Sequence, residues 1–344
     1  MSILKVINDP NDSQWDICVR SFSNYDIYYL SGYAKAFHIH GDGEPLLFYY
    51  ERENLRGINV VMKRDIADDT HFTEKLPKGQ YFDFATPYGY GGWLLEGEGD
   101  TAPLFAAYEE WCISHGIVSE FVRFQLTSNS RERYPGQVIQ RTNNVVRALD
   151  CSMDQMRMDF EHKVRKNLKK AESAGLEICV DLQGTRLQEF LRIYYSTMDR
   201  NDAKDSYYFN EEFFRQIGQM QGNFAYFHVL LHGMVISTEL VLLGSDTMYS
   251  YLGGTDAEYF AYRPNDFLKY EIIRWGLEHG YKNFVLGGGY GKDDGIFRYK
   301  KSFAPHGIIP FYTGQKVFDF EIYQKLVTLR KECNETDFFP QYRA

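Results

Sequence analysis

A basic pair, Lys300-Lys301, lies inside the aromatic and apolar run Ile296-Phe297-Arg298-Tyr299-Lys300-Lys301-Ser302-Phe303. A fixed ammonium can face an oxyanion that forms during acyl transfer, and losing one such donor typically costs roughly 2.7–4 kcal/mol of transition-state stabilisation. An ordinary lysine, with a pKa of about 10.4, is charged at neutral pH unless it is strongly desolvated. The competing reading is a surface lysine pair on a strand. Four more cations, Arg165, Lys166, Lys169 and Lys170, share one face of a basic helix over 158–174. That face suits phosphate, or is simply solvated. Tyr249 and Tyr251 alternate on one strand, which places them on a common face.

Other chemistries fail on spacing. The glycine-rich stretch 287–292 lacks the Ser or Thr that follows Lys in a phosphate loop, since Asp293 comes next, and it fits no GxGxxG register. There is no HExxH or GxSxG motif; His38 and His40 stand without further ligands, and Asp293-Asp294 reads as a solvated turn. No metal site and no bound cofactor are expected. The cysteines at 18, 112, 151, 179 and 333 form no CxxC pair, which favours reduced thiols in a cytoplasmic protein. The net charge of −9 argues against broad nonspecific nucleic-acid binding while leaving room for a local basic patch. No apolar run is long enough to span a membrane, and the first residues do not read as a secretion signal.

The elements that must position these residues follow an α+β order. At 344 residues the chain suits two domains. The expected division is 1–149 and 150–314, with 315–344, including a helix over 318–332, returning to the first. In the first domain the reading is a strand, a helix from Ser13, a helical segment at 27–37, a hairpin at 45–50 and 57–63, and a loop over 82–93. A helix at 102–115 and strands at 121–126 and 144–148 follow. In the second, the basic helix leads to a strand at 177–180, helices at 185–199 and 210–220, and a meander of three strands between 224 and 252. That last strand is expected to stop at Gly253-Gly254. A helix then runs from Asn265 to His279, entered at Pro264 and left at Gly280. Its stripe is Leu268, Ile272 and Trp275. A short strand at 283–286 meets the glycines, and the basic run ends the domain as a terminal loop.

Four features of this last stretch carry a resemblance. They are the strand ending Tyr-Leu-Gly-Gly, the helix start Asn-Asp-Phe-Leu with Glu271 and Trp275, the Gly-Gly-Gly strand end, and the Tyr-Lys-x-x-Phe run at 299–303. Together they resemble the Fem-type (FemABX-like) aminoacyl transferases of the GNAT N-acyltransferase superfamily. The segments Phe160–Gly175 and Asp83–Trp93 are similar to the family's basic helix and to a segment near the end of its first domain. The resemblance implies two GNAT-like domains, each a mixed, mostly antiparallel sheet flanked by helices; no heptad run suggests a coiled-coil arm. It implies Lys300 and Tyr299 as catalytic, where the family's motif has Phe-Lys. It implies Arg200, Tyr249, Tyr251 and Asn265 at the acceptor, although the family's tyrosine four residues beyond the arginine is Lys204 here. Arg165, Lys166, Lys169 and Lys170 would face the donor. The implied reaction forms an amide on a cell-wall (peptidoglycan) or surface-polysaccharide precursor, with peripheral contact to a lipid-linked precursor. The donor is aminoacyl-tRNA or acyl-CoA, with the glycine-free run 259–264 favouring tRNA. The remaining alternative is a noncatalytic module that binds sugar or peptide.

Overall fold

The computed structural model describes residues 3–291, 293–330 and 337–344. Lys292, Lys331, Glu332 and Cys333, which entered the reading above, lie outside the described residues, as do the first positions of the irregular end. The first elements are β1 (Ile3–Ile7), α1 (Ser13–Arg20), α2 (Ser31–His40), β2 (Glu44–Arg52), β3 (Leu55–Asp65), β4 (Phe82–Ala85), β5 (Leu94–Glu96), α3 (Ala102–Ser114) and β6 (Ile117–Arg123). Then come β7 (Gln137–Ala148), α4 (Met153–Asp159), α5 (His162–Ser173), β8 (Glu177–Asp181), α6 (Leu187–Arg200) and α7 (Glu211–Gly218). The meander is β9 (Phe224–Leu231), β10 (Met234–Leu243) and β11 (Thr247–Thr255). It leads to α8 (Pro264–Glu278), β12 (Asn283–Gly287), α9 (Gly295–Lys301), β13 (Ile308–Val317) and α10 (Phe320–Arg330).

The chain divides into two compact units, one of Met1–Arg141 with Phe311–Ala344, the other of Thr142–Pro310. In the first unit the sheet runs β1-β2-β3-β4-β6 and then the Thr313–Val317 part of β13, with β5 on β3. All pairs are antiparallel except β4 with β6. One core packs Phe48, Phe84 and Trp93 against Tyr108 of α3; another packs Ile66, Phe72 and Val118 against Tyr323 and Leu326 of α10.

The second unit carries the candidate chemistry. Its sheet runs from the Val145–Ala148 part of β7 through β12-β11-β10-β9-β8. Only β11 and β12 are parallel, and α8 is the crossover that such a pair requires. α5 and α8 cover one face with Val164, Leu168, Ala171, Leu268, Ile272 and Ile273. On α6, Phe190 packs against Tyr226 of β9 at 4.9 Å between ring centres. Every residue of β9 is buried, which is why it reads as a continuous apolar run without alternation. The β9–β10 turn places His232 and Gly233 at φ 52° and 79°, the backbone of a two-residue primed hairpin.

Four expectations need correction. The basic helix is two helices, because Phe160 and Glu161 are extended between α4 and α5. Residues 82–93 are not all loop: β4 occupies 82–85, and the breakers Pro87, Gly89, Gly91 and Gly92 all follow it. β11 does not stop at its glycines but continues to Thr255. The run 296–303 is neither strand nor loop. It is the helix α9 and its exit, started by the Asp294 side chain, which accepts from the Phe297 amide at 2.7 Å. Among the described residues no helix is longer than the 15 residues of α8, and none is long and apolar enough to cross a membrane.

Candidate active site

β12 ends at Gly287, whose φ of 83° lies in the left-handed region that favours glycine. The Lys300 side chain comes to this strand end from α9, and its Nζ donates to the Gly288 carbonyl at 2.6 Å. A Cβ at Gly287 would sit 3.3 Å from that Nζ and 3.8 Å from Oδ1 of Asn144 on β7. The lysine is therefore a cation held against a strand end by a neutral carbonyl. Burial lowers its pKa to about 8, and the nearby charge of Lys269 pushes the same way; Glu239 and Asp294 oppose both. This is the desolvated case that the sequence could only state as a condition. Asp294 has its own duties, accepting from the amides of Tyr290, Gly291 and Phe297.

Tyr299 points the other way along α9. Its hydroxyl donates to the Asn265 carbonyl at 3.1 Å, and its ring meets Phe303 at 5.4 Å. Burial, with Asp266 and Glu239 nearby, raises the phenol well above its ordinary value, so Tyr299 stays neutral. Asn265 takes part here through its backbone, at the start of α8. Next to it Asp266 accepts from Nδ2 of Asn167 on α5 at 3.1 Å, and burial raises its carboxyl pKa.

The other predicted residues have different surroundings. Arg200 ends α6, exposed, with its guanidinium 5.1 Å from the Phe260 ring centre and a 3.4 Å hydrogen bond to Thr197. Tyr249 is buried and Tyr251 half-buried on β11. Leu240 pairs with Leu252 while Val241 pairs with Ser250, so Tyr251 is the extra residue of a bulge. Strict alternation breaks there, and spacing alone no longer puts the two tyrosines on one face. Arg165 turns inward and donates to the Met158 and Phe160 carbonyls, capping α4. Lys166, Lys169 and Lys170 remain exposed on α5.

Sequence reasoning missed a buried ion pair in the same unit. Lys269 of α8 and Glu239 of β10 are both 5% exposed and form an ion pair, with Lys269 Nζ donating to Glu239 Oε2 at 2.6 Å and to Ser250 Oγ at 2.7 Å. The available signal was Glu239, the one charged residue in Val-Ile-Ser-Thr-Glu-Leu-Val-Leu-Leu, a charge that a buried strand accepts only with a partner. Among the described residues no group of three or more His, Cys, Asp or Glu side chains is arranged to hold a metal.

Residues 158–301 match the family described as the acetyltransferase (GNAT) domain. No curated protein matches the sequence. Among solved structures, the chain is similar to FemX at 14% identity, covering 93% of this chain and 99% of that one, with a TM-score of 0.64. L-PGS from Bacillus licheniformis is similar at 14% identity over 93% and 97% of the two chains, with a TM-score of 0.60. The C-terminal domain of a putative lysylphosphatidylglycerol synthetase from Agrobacterium fabrum aligns at 14% identity over 87% and 89%, with a TM-score of 0.57. At such identities these likenesses concern the fold. Residues 158–301 thus match a GNAT acetyltransferase domain, and the fold of the chain is similar to that of FemX.

Proposed function

We propose that the chain transfers an aminoacyl group from aminoacyl-tRNA to an amine of a cell-wall or surface-polysaccharide precursor, forming an amide. The observation that carries this reading is the Lys300 ammonium, fixed at the end of β12 on a neutral carbonyl. The acceptor amine, as free base, attacks the carbonyl carbon of the aminoacyl ester. As the N–C bond forms, the carbonyl oxygen takes up the electron pair, and Lys300 stabilises the resulting oxyanion. Collapse restores the carbonyl and breaks the ester C–O bond. The departing hydroxyl takes the proton that the amine gives up.

Arg200, Tyr249, Tyr251 and Asn265 are assigned to the acceptor, and Arg200, exposed at the end of α6, is free in space to reach a phosphate. Lys166, Lys169 and Lys170 are assigned to the donor, their exposure on α5 suiting an RNA backbone. Arg165 supports that surface from beneath by holding α4. The name lysylphosphatidylglycerol synthetase describes joining lysine to a phospholipid, which is in keeping with an aminoacyl donor and a lipid-linked acceptor met at a membrane surface. The N-terminus of α8 weighs against acyl-CoA: Arg263 is left-handed there and Pro264 withholds an amide that could bind pyrophosphate.

The test presents charged tRNA and acyl-CoA side by side to the purified protein with amine-bearing precursors. Amide formation from charged tRNA, lost when Lys166 and Lys169 are both changed to Glu, supports the assignment. Turnover from acyl-CoA alone, with no binding of charged tRNA, replaces the donor.

A further inference from the structure

Among the described residues each unit has one parallel pair of strands, β4 with β6 and β11 with β12, and the connections carry α3 and α8. The two helices end alike. Trp111 and His115 stack at 3.8 Å with His115 Nδ1 2.8 Å from the Trp111 carbonyl; Trp275 and His279 stack at 3.9 Å with the same 2.8 Å contact. A left-handed glycine follows each, Gly116 at φ 71° and Gly280 at φ 77°, and the second parallel strand begins directly or soon after. The same crossover is therefore built twice. Ligands of open sheets with parallel strands sit beyond the carboxyl ends of those strands. At that end of β12 stands Lys300, brought in by α9. At that end of β6 stands Arg123, the last residue of the strand itself. Its backbone is fixed on both sides by the loop after β4: its N–H donates to Thr86 Oγ1 at 3.1 Å, and its carbonyl accepts from the Gly91 amide at 2.6 Å. The guanidinium lies 5.0 Å from the Phe121 ring centre and 5.8 Å from that of Tyr88. Arg123 is half-buried, and among the described residues its guanidinium has no hydrogen bond and no ion pair. The charges of Asp42 and Arg64 reach it with opposite sign, and Asp42 does not pair with it. A half-buried charge held on two rings without a counter-ion is an unusual thing for a fold to keep for packing alone.

We propose that Arg123 anchors a second binding site, within the first unit, that takes the phosphate or carboxylate group of a ligand at the end of β6. The planar guanidinium fork matches either oxyanion through two parallel hydrogen bonds. Tyr88, 42% exposed, offers a ring face to the body that carries the anion. The segment 83–93, which has no task in the transfer reaction, thereby gains one, since it supplies Thr86, Tyr88 and Gly91 around Arg123. The site is independent of the transferase reading, because every residue assigned to that reaction belongs to the second unit.

The experiment reads Arg123 directly in the full wild-type chain. Phenylglyoxal modifies accessible guanidinium groups, and mass spectrometry gives the rate at each arginine as inorganic phosphate or acetate is added at constant ionic strength. Two arginines of the second unit serve as references: Arg298, which is exposed, and Arg147, which is buried and paired with Asp159. Without added anion Arg123 should react faster than Arg147. Phosphate, acetate or both should slow it, by about tenfold when the anion reaches ten times its dissociation constant, while Arg298 keeps its rate. Protection by phosphate alone assigns a phosphate ligand, and protection by acetate alone assigns a carboxylate. An Arg123 that resists the reagent as Arg147 does overturns the proposal. So does protection no greater than that of Arg298, which is the behaviour of an adventitious ion only. The readout needs no transfer activity, so its failure leaves the reading of Lys300 untouched, and an inactive Lys300 leaves this site standing.

Discussion

His228 gives a quantitative forecast of acid stability. It lies fully buried on β9, its Nδ1 paired with the Thr238 hydroxyl at 2.8 Å and its Nε2 without a partner. Burial pushes its pKa down to about 4; Arg186 adds to this and Asp181 opposes it. The folded value lies below the unfolded value of about 6.5, so between these limits the unfolded chain binds more protons than the folded one. The stabilisation from keeping this ring neutral is therefore complete above about pH 6.5 and is lost as pH falls toward 4. Applying the two values to each state, the loss between pH 7 and pH 4.5 is roughly 2 kcal/mol. His228→Phe removes both the titration and the unpartnered nitrogen, at the cost of the hydrogen bond to Thr238. Urea unfolding of both proteins at pH 7 and 4.5 checks the figure: wild type should lose about 2 kcal/mol more than the variant across that interval. Equal losses in the two proteins would show that His228 is not held neutral by burial.

Two further outcomes follow from the site. Gly287→Ala puts a Cβ 3.3 Å from the Lys300 amine at a φ of 83°, so it should cost roughly 1–2 kcal/mol in denaturant unfolding and lower turnover by displacing the lysine; unchanged stability and rate would contradict that geometry. Arg200→Ala should weaken acceptor binding more than donor binding, with the difference shrinking as salt is added, when affinities are measured separately by calorimetry. Equal weakening of both would remove Arg200 from the acceptor side.

Much of the second unit was legible because its signals are local. Pro264 and Gly280 bracket α8, and the Leu268 and Ile272 stripe does lie in the core. His232-Gly233 marks the tight turn of the meander. The failures share a different cause. Two extended residues, Phe160 and Glu161, divide what composition presents as one basic helix. One extra residue at Tyr251 breaks the alternation that would have joined it to Tyr249. The α9 run is rich in aromatics and reads as extended, yet its packing is helical, with Tyr299 on Phe303 four residues later. The Glu239–Lys269 pair joins positions 30 residues apart on a strand and a helix, and no local pattern announces such a contact. For the same reason the desolvation of Lys300 appears only once the strand end and α9 are in place.

The most direct test of the central claim is single-turnover transfer by Lys300→Met beside wild type, with charged tRNA and an amine-bearing precursor at saturation, at pH 7 and again above pH 8. The substitution should leave unfolding nearly unchanged and lower the rate constant by about a hundredfold or more, the usual scale for an oxyanion donor. Wild type should lose the lysine's contribution as pH rises through about 8, where its amine discharges, whereas the variant should show no such loss. A Lys300→Met protein that transfers at close to the wild-type rate would contradict the account.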